Sequence, residues 1–362
     1  MQIIQDRREL HKIPELARTL PKTMAYLNTA LSGLSCKVFS PMDSSLCAFF
    51  DFGADHAIAF RSDADALAIA EQTGLPFASS HPGNMHACGH DGHMAILLEL
   101  ARRLDKKESL PHNVLLVFQP AEEDGAGAKD LCETGIFEKY NVSAIFALHL
   151  WPGLTAGHIA SRKGEMLSHS CEVTVDVWGE TVHIAKSKNC IDALAAATEF
   201  YTRVRKEEAD LPQEIYRLLN FGIFQSGTVR NAVSGHVHME GSIRAFQDEV
   251  FQKLYDSLYS VAQQVQETSG CRFEIRTNDG YPAVINPEAL YEKVRSVADF
   301  AELKDPFMIA EDFSWYQKRL PGMFFFLGIG DTPALHANDF DFDETILLKG
   351  AEFFEHLAEN FR

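Results

Sequence analysis

Four apolar runs organise the chain, at 57–60, 113–118, 144–148 and 323–329. Near-continuous hydrophobic runs rich in Phe, Val, Ile and Leu read as strands buried on both faces. Each gives way abruptly to polar residues. Asp63 and Asp65 follow the first, Glu122-Glu123-Asp124 the second, His149 the third, and His336 comes after the fourth. Helical patterns lie between them at 94–104 and 126–138, and again at 343–361. Buried strands alternating with helices predict an α/β layer, and open sheets of that kind carry their sites beyond the carboxyl ends of the strands. Upstream, Leu10, Ile13, Leu16 and Leu20 give 6–34 a helical spacing that Pro14 interrupts. The runs 47–52 and 57–60 flank Gly53 and predict a hairpin.

The pattern changes between about 167 and 281. A half-exposed alternating strand at 170–178 is followed by an amphipathic helix at 190–204 and strands at 220–224 and 234–246. A helix at 249–269 and a strand at 272–277 complete the order β-α-β-β-α-β, which is the ferredoxin-like pattern. Two domains are expected: 1–166 together with 282–362, and 167–281 inserted between those parts.

Composition narrows the function classes. Of 362 residues 46% are apolar, enough for a sizeable interior. A formal net charge of -18 with no basic run argues against nucleic acid or an anionic membrane as partner. No apolar run reaches membrane-spanning length, and the charged stretch from Asp6 to Glu9 is unlike a signal peptide. Seven scattered cysteines, mostly in apolar contexts, read as free thiols and point to a reducing, cytoplasmic location.

The densest chemistry lies in Met85-His86-Ala87-Cys88-Gly89-His90-Asp91-Gly92-His93. Cys88 and His90 are two apart, so in an extended segment both would point the same way, and a thiolate beside an imidazole suits zinc or a similar ion. Two donors do not make a site, so the strand ends must supply the rest. Asp65, Cys88, His90, Glu122, Glu123, His149 and His336 form a mixed sulfur, nitrogen and oxygen set able to hold one or two divalent ions. Adjacent Glu122 and Glu123 point apart in an extended segment, so one can bind metal while the other takes a proton from water. Alone, these acids would read as a solvated turn; after a buried strand they do not. Gly-x-Ser-x-Gly, Walker, dinucleotide-binding and His-Glu-x-x-His patterns are absent.

With these residues in view, the chain resembles the metal-dependent N-acyl-amino-acid amidohydrolases of the aminoacylase-like metallopeptidase group. That branch contains hippurate hydrolase, the auxin-conjugate hydrolases and N-acetyldiaminopimelate deacetylase. The likeness runs from Arg7-Arg8-Glu9-Leu10-His11 and Pro14-Glu15-Leu16 through Arg61-Ser62-Asp63-Ala64-Asp65-Ala66-Leu67 and Glu71-Gln72-Thr73-Gly74-Leu75-Pro76-Phe77. It continues through Met85 to Asp91, Phe118-Gln119-Pro120-Ala121-Glu122-Glu123, His149 with Pro152, Ala310-Glu311-Asp312-Phe313, and His336 with Phe342-Asp343-Glu344.

The resemblance implies a zinc-exopeptidase-like mixed-sheet catalytic domain of α/β class, with the βαββαβ insertion acting as a lid and dimerisation domain. It implies that Cys88, His90, Glu123, His149 and His336 bind two divalent ions (Mn, Zn, Ni or Co), with Cys88 bridging, and that Glu122 is the general base and acid. Asp65 either orients a ligand from behind or only caps a turn. In the lid, His183 would approach the substrate carbonyl, in the neighbouring subunit's site, while Asn231 and Arg244 would line the pocket and hold a carboxylate. The implied reaction is hydrolysis of an N-acyl amino acid, with N-acetyldiaminopimelate of lysine biosynthesis a candidate substrate. A dipeptidase or carboxypeptidase of the same fold, or a ligand-binding homologue without turnover, is the alternative. The sequence departs from the family pattern at Ala68, Asp124, Glu180 and Ile184-Ala185-Lys186, none of which is an implied ligand.

Overall fold

The computed structural model describes residues 1–362 and divides them into two compact units. The first comprises 1–166, 284–306 and 311–362; the second comprises 167–283 and 307–310.

The first unit is built on an eight-stranded mixed sheet. Its order is Lys37–Phe39, Leu46–Phe50, Asn113–Gln119, Ala57–Asp63, Val142–Pro152, Gly322–Gly330, Ile159–Ser161 and Ala301–Glu302. The four apolar runs form its centre, all parallel to their neighbours among the four. Ala57–Asp63 and Asn113–Gln119 are buried along their whole length, as the unbroken apolar patterns require. Parallel neighbours put the polar residues that follow them at the same edge of the sheet.

The expected hairpin around Gly53 does not form. Asn113–Gln119 lies between the two segments, antiparallel to Leu46–Phe50 and parallel to Ala57–Asp63. A strand from further along the chain displaces a local pairing, because it covers both apolar edges at once. Near the N-terminus two helices, Gln2–His11 and Pro21–Leu31, replace the single periodic stretch. The break contains Pro14, and the second helix begins with Pro21 at its first turn, where proline costs no hydrogen bond.

Helix His90–Leu104 is almost entirely buried and packs against Gln2–His11 and the C-terminal helix Leu347–Asn360. The segment expected as one helix at 126–138 is two short ones, Gly127–Glu133 and Ile136–Lys139, separated at Gly135 with φ +70°.

The inserted unit carries strands in the order Arg272–Thr277, His169–Trp178, His236–Ala245 and Arg217–Ser226, all antiparallel. Helices Ala193–Ala209 and Asp248–Ser269 bury their apolar stripes with this sheet in a separate core of Val173, Val175, Phe200, Leu254 and their neighbours. This is the βαββαβ arrangement expected for 167–281. No helix in the protein is long and apolar enough to cross a membrane.

One close approach can be tested directly. A Cβ added at Gly328, in a central strand, would collide with the Thr155 carbonyl oxygen, which is backbone and cannot rotate away. Gly328→Ala is expected to lower stability by about 1–3 kcal/mol. Urea unfolding measures this, and an unchanged midpoint would show that the loop after Val142–Pro152 is free to move.

Candidate metal centre

Helix His90–Leu104 begins at His90, and the residue before it, Gly89, sits at φ +83°. The segment around Cys88 is therefore not extended, as alternation had suggested. A left-handed turn at glycine brings the Cys88 thiol and the His90 imidazole towards one place. Tight packing also selects glycine here: a Cβ at Gly92 would lie 2.9 Å from the end of Leu150.

All five expected donors come together at the carboxyl edge of the sheet. Cys88 Sγ lies 3.4 Å from His149 Nε2, His90 Nε2 3.7 Å from Glu123 Oε1, and His336 Nε2 3.4 Å from the same oxygen. Cys88, Glu123 and His336 form one group of converging ligand atoms; His90, Glu122 and Glu123 form another. A third joins His90 and His149 to Asp63 and His93. All but His336 and Glu123 are buried, and the His336 side chain is 51% exposed.

The imidazoles are oriented from behind. His90 Nδ1 donates to the Asp65 carbonyl at 2.8 Å, and His149 Nδ1 to the Leu150 carbonyl at 2.7 Å. Each ring is thereby left with Nε2 facing the cluster, the tautomer a metal ligand requires. The Asp65 carboxylate accepts the backbone N–H groups of Glu122 and Glu123 at 3.0 and 3.1 Å. A single residue thus fixes both glutamates and one histidine.

Two residues that sequence reasoning left unassigned complete the centre. His93 donates from Nδ1 to Asp63 at 2.6 Å, and its Nε2 accepts the Leu150 N–H at 2.9 Å. With both nitrogens engaged it orients Asp63 and is not free to ligate. Its spacing of three from His90 on one helical face was the available signal. Arg61, fully buried, reaches Gln119, Asp63, Asp312 and Glu311 at 2.7–3.0 Å. Asp312 in turn accepts the Ala128 N–H at 3.0 Å and holds the far end of the loop that carries the two glutamates. Nothing in the sequence pairs Arg61 with a segment some 250 residues later.

Six carboxyl groups (Asp63, Asp65, Glu122, Glu123, Glu311 and Asp312) and one thiol thus belong to one connected cluster, in which Arg61 pairs with Asp63, Glu311 and Asp312. Their titration divides them: burial would raise Asp63 and Glu123, but His90, His93 and Arg61 hold the first, and His336 and His90 the second, below the usual carboxylate range. Burial, then Glu311 and Glu123, push Glu122 well above the usual carboxylate range. Burial and the neighbouring glutamates push the Cys88 thiol up as well. Burial alone would lower His90, but Asp63, Asp65 and Glu123 outweigh it and raise the imidazole to about 10. Burial keeps His149 neutral, far below its ordinary value.

His90 Nε2 and Glu123 Oε1 are buried and make no hydrogen bond. Leaving such atoms unpaired is costly, and buried charges are normally paired or coordinate a metal. The residues present therefore fit divalent ions, which would take the place of the His90 proton and convert the thiol to thiolate.

The inserted unit holds the other expected residues. His183 is exposed and caps the 3-10 turn Ile184–Asn189, its Nδ1 accepting the Ala185 N–H. The Ile184 N–H donates to the Asn231 carbonyl at 2.9 Å, so His183 and Asn231 are neighbours. Arg244 is half-buried and donates to the Met308 carbonyl at 2.6 Å. Arg244 lies eight residue steps along the strand from His236, about 26 Å at the usual rise. Asn231 lies beyond the His236 end, so within one chain it stands far from Arg244 along the strand.

The sequence pattern of the peptidase family M20/M25/M40 matches residues 59–360. The chain belongs to this family. A Staphylococcus epidermidis protein described as an uncharacterized hydrolase is 32% identical over 373 residues, covering 98% of this chain and 97% of the relative. A solved structure from methicillin-resistant Staphylococcus aureus has a TM-score of 0.90 at 28% identity, covering 98% of this chain and 95% of the other. The Bacillus subtilis protein YXEP, described as a dinuclear metal binding peptidase of family M20, has a TM-score of 0.85 at 30% identity, covering 99% and 96%. The M20 chain is accordingly a metal-dependent hydrolase of amide bonds.

Asp65→Ala removes the acceptor for two buried N–H groups beside the donors. Metal affinity, measured by competition with a chromogenic chelator, is expected to fall about 10- to 100-fold. Unchanged affinity would show that the glutamates hold their positions without it.

Proposed function

We propose that this M20 hydrolase cleaves the amide of an N-acyl amino acid, with N-acetyl the leading acyl group. Cys88, His90, Glu123, His149 and His336 would hold two divalent ions. The observation that carries this reading is the pair of buried, unbonded atoms, His90 Nε2 and Glu123 Oε1, facing each other among acids with too few cations. Bound there, divalent ions polarise an acyl carbonyl and lower the pKa of water.

The chain's own residues do the rest. Glu122, next to Glu123 but outside the five-donor set, takes the proton of the attacking water and returns it to the departing amine. Its raised affinity for a proton, from burial and from Glu311, suits the second of these tasks. His183 donates to the oxyanion as the carbonyl carbon becomes tetrahedral. Arg244 binds the amino-acid carboxylate, the group its planar fork matches best.

The separation of Asn231 and His183 from Arg244 supports a homodimer in which one chain's His183 serves its partner's centre. Edge strand Arg217–Ser226 is suited to the contact. It exposes Ile223 and Phe224, with Val229 just beyond at 58% exposure.

Glu122→Gln is expected to reduce turnover by roughly a thousandfold or more while both ions remain, as read by elemental analysis. Loss of metal instead would overturn the roles given to the two glutamates. The substrate is tested by screening N-acetyl and N-aroyl amino acids, N-acetyldiaminopimelate and dipeptides for released amine, with and without a chelator. Cleavage of dipeptides alone would overturn the acyl reading.

Mixing inactive Glu122→Gln and His183→Ala chains tests the shared site. Restored activity, up to about a quarter per statistical dimer, is expected. No recovery in a verified mixed dimer would place His183 in its own chain's site.

A further inference from the structure

His336 differs from the other donors. Its side chain is half exposed, and its backbone sits at φ +66°, a left-handed conformation that a non-glycine residue holds only under constraint. Its N–H donates to the Ala87 carbonyl at 2.8 Å, next to Cys88, while the residues after it are anchored by the Gln72 N–H on the Asn338 carbonyl at 2.7 Å and by buried Phe340. The restraint comes from further along its loop.

Arg7, on the N-terminal helix and fully buried, spans three carboxylates. Nε donates to Asp91 at 2.9 Å, Nη2 to Asp341 at 3.1 Å and Nη1 to Glu344 at 3.2 Å. Asp91 directly follows His90, while Asp341 and Glu344 close the loop that begins at His336. The guanidinium lies over the rings of Phe77 and Phe342, 5.0 and 4.6 Å from their centres. His11, one turn on, reinforces the same acid with Nδ1 at 2.8 Å from Asp91. A helix that touches no donor therefore ties the start of the His90 helix to the His336 loop.

We infer that Arg7 is a positioning residue for His336, fixing the distance between its loop and helix His90–Leu104 and so the ion held by Cys88, Glu123 and His336. The inference rests on the two-ion reading above. A rigid fork with several donors is needed; lysine, a single point charge, reaches one of the three acids at a time. Without the fork, the donors near His90 and His149 remain held by Asp65, Leu150 and the sheet, whereas the His336 loop keeps only Arg8 on Glu344, Gln72 on Asn338 and buried Phe340, and is loosened. The effect is selective for one ion.

The test is calorimetric titration of metal-stripped protein with Mn2+ or Zn2+, with metal content counted independently. Wild type, Arg7→Lys and Asp341→Asn are compared. Wild type is expected to take two ions. Both variants should keep one with unchanged affinity and bind the second about 10- to 100-fold more weakly. Activity lost at low metal should return with excess metal at unaltered KM.

A folded variant that binds both ions as wild type does, or loses both together, overturns the inference. A wild type that binds no metal overturns the two-ion reading instead. Thermal melting identifies a variant that does not fold. Asp341, with a side chain 36% exposed, is the substitution least exposed to that failure and decides the question alone if Arg7→Lys is lost.

Discussion

A surplus of buried negative charge governs the larger unit. Bringing carboxylates out of water costs several kcal/mol each in real proteins, on the order of the whole stability of a domain. Here six carboxyl groups and a thiol belong to one connected cluster at the edge of the sheet, in which Arg61 pairs with Asp63, Glu311 and Asp312. Such an arrangement is tolerable only when protons or external cations make up the difference. The raised values of Glu122, Cys88 and His90 are the proton version of that compensation. Divalent ions are the other, and they leave the buried atoms with partners. Stability and chemistry are therefore coupled through one site: what would unfold the apo chain is what binds metal in the holo chain.

The charge surplus also explains how much of the surrounding structure is devoted to orientation. Asp65 and Asp312 hold the glutamate-bearing loop at both ends, and Arg61 ties Asp312 back to Asp63. Inside that loop Ala121 and Ala126 both adopt φ +55°, and a Cβ at Gly127 would collide with the Pro120 carbonyl. Left-handed alanines cost about 1–2 kcal/mol each and persist only when their surroundings impose them. The strain flanks Glu122 and Glu123, where a relaxed backbone would turn one carboxylate away.

Much of this is legible along the chain, for a physical reason. Parallel buried strands announce themselves by unbroken apolar runs, and the sheet then carries whatever follows them to one edge. Asp65, Glu123 and His149 group together on that ground from their positions in the sequence alone. Pairing between strands is not local, so the neighbour of 57–60 cannot be read from its flanks; 113–118 takes the place that proximity gives to 47–52. The partners of Arg61 and Arg7 are hidden for the same reason. A buried arginine looks like any surface charge until the distant acids among its partners, Asp312 for Arg61 and Glu344 for Arg7, are brought to it. His93 is visible but ambiguous, since only the Leu150 N–H on its second nitrogen separates an orienting histidine from a ligand.

The inserted unit poses a different constraint, one of length. A strand of ten residues carries Arg244 at one end, and His183 and Asn231 lie beyond the other. An amino-acid-sized ligand is several times shorter than that span. One inserted unit cannot close both ends on one substrate. Either a single end matters for catalysis, or the two ends serve different centres. The second alternative makes use of the apolar edge strand, since pairing through it would bring two such units side by side with their ends exchanged. It also ties assembly to turnover: a chain alone would hold its metal but lack the donor that meets the oxyanion. Dilution below the dimer's dissociation constant would then remove activity while leaving each metal centre intact.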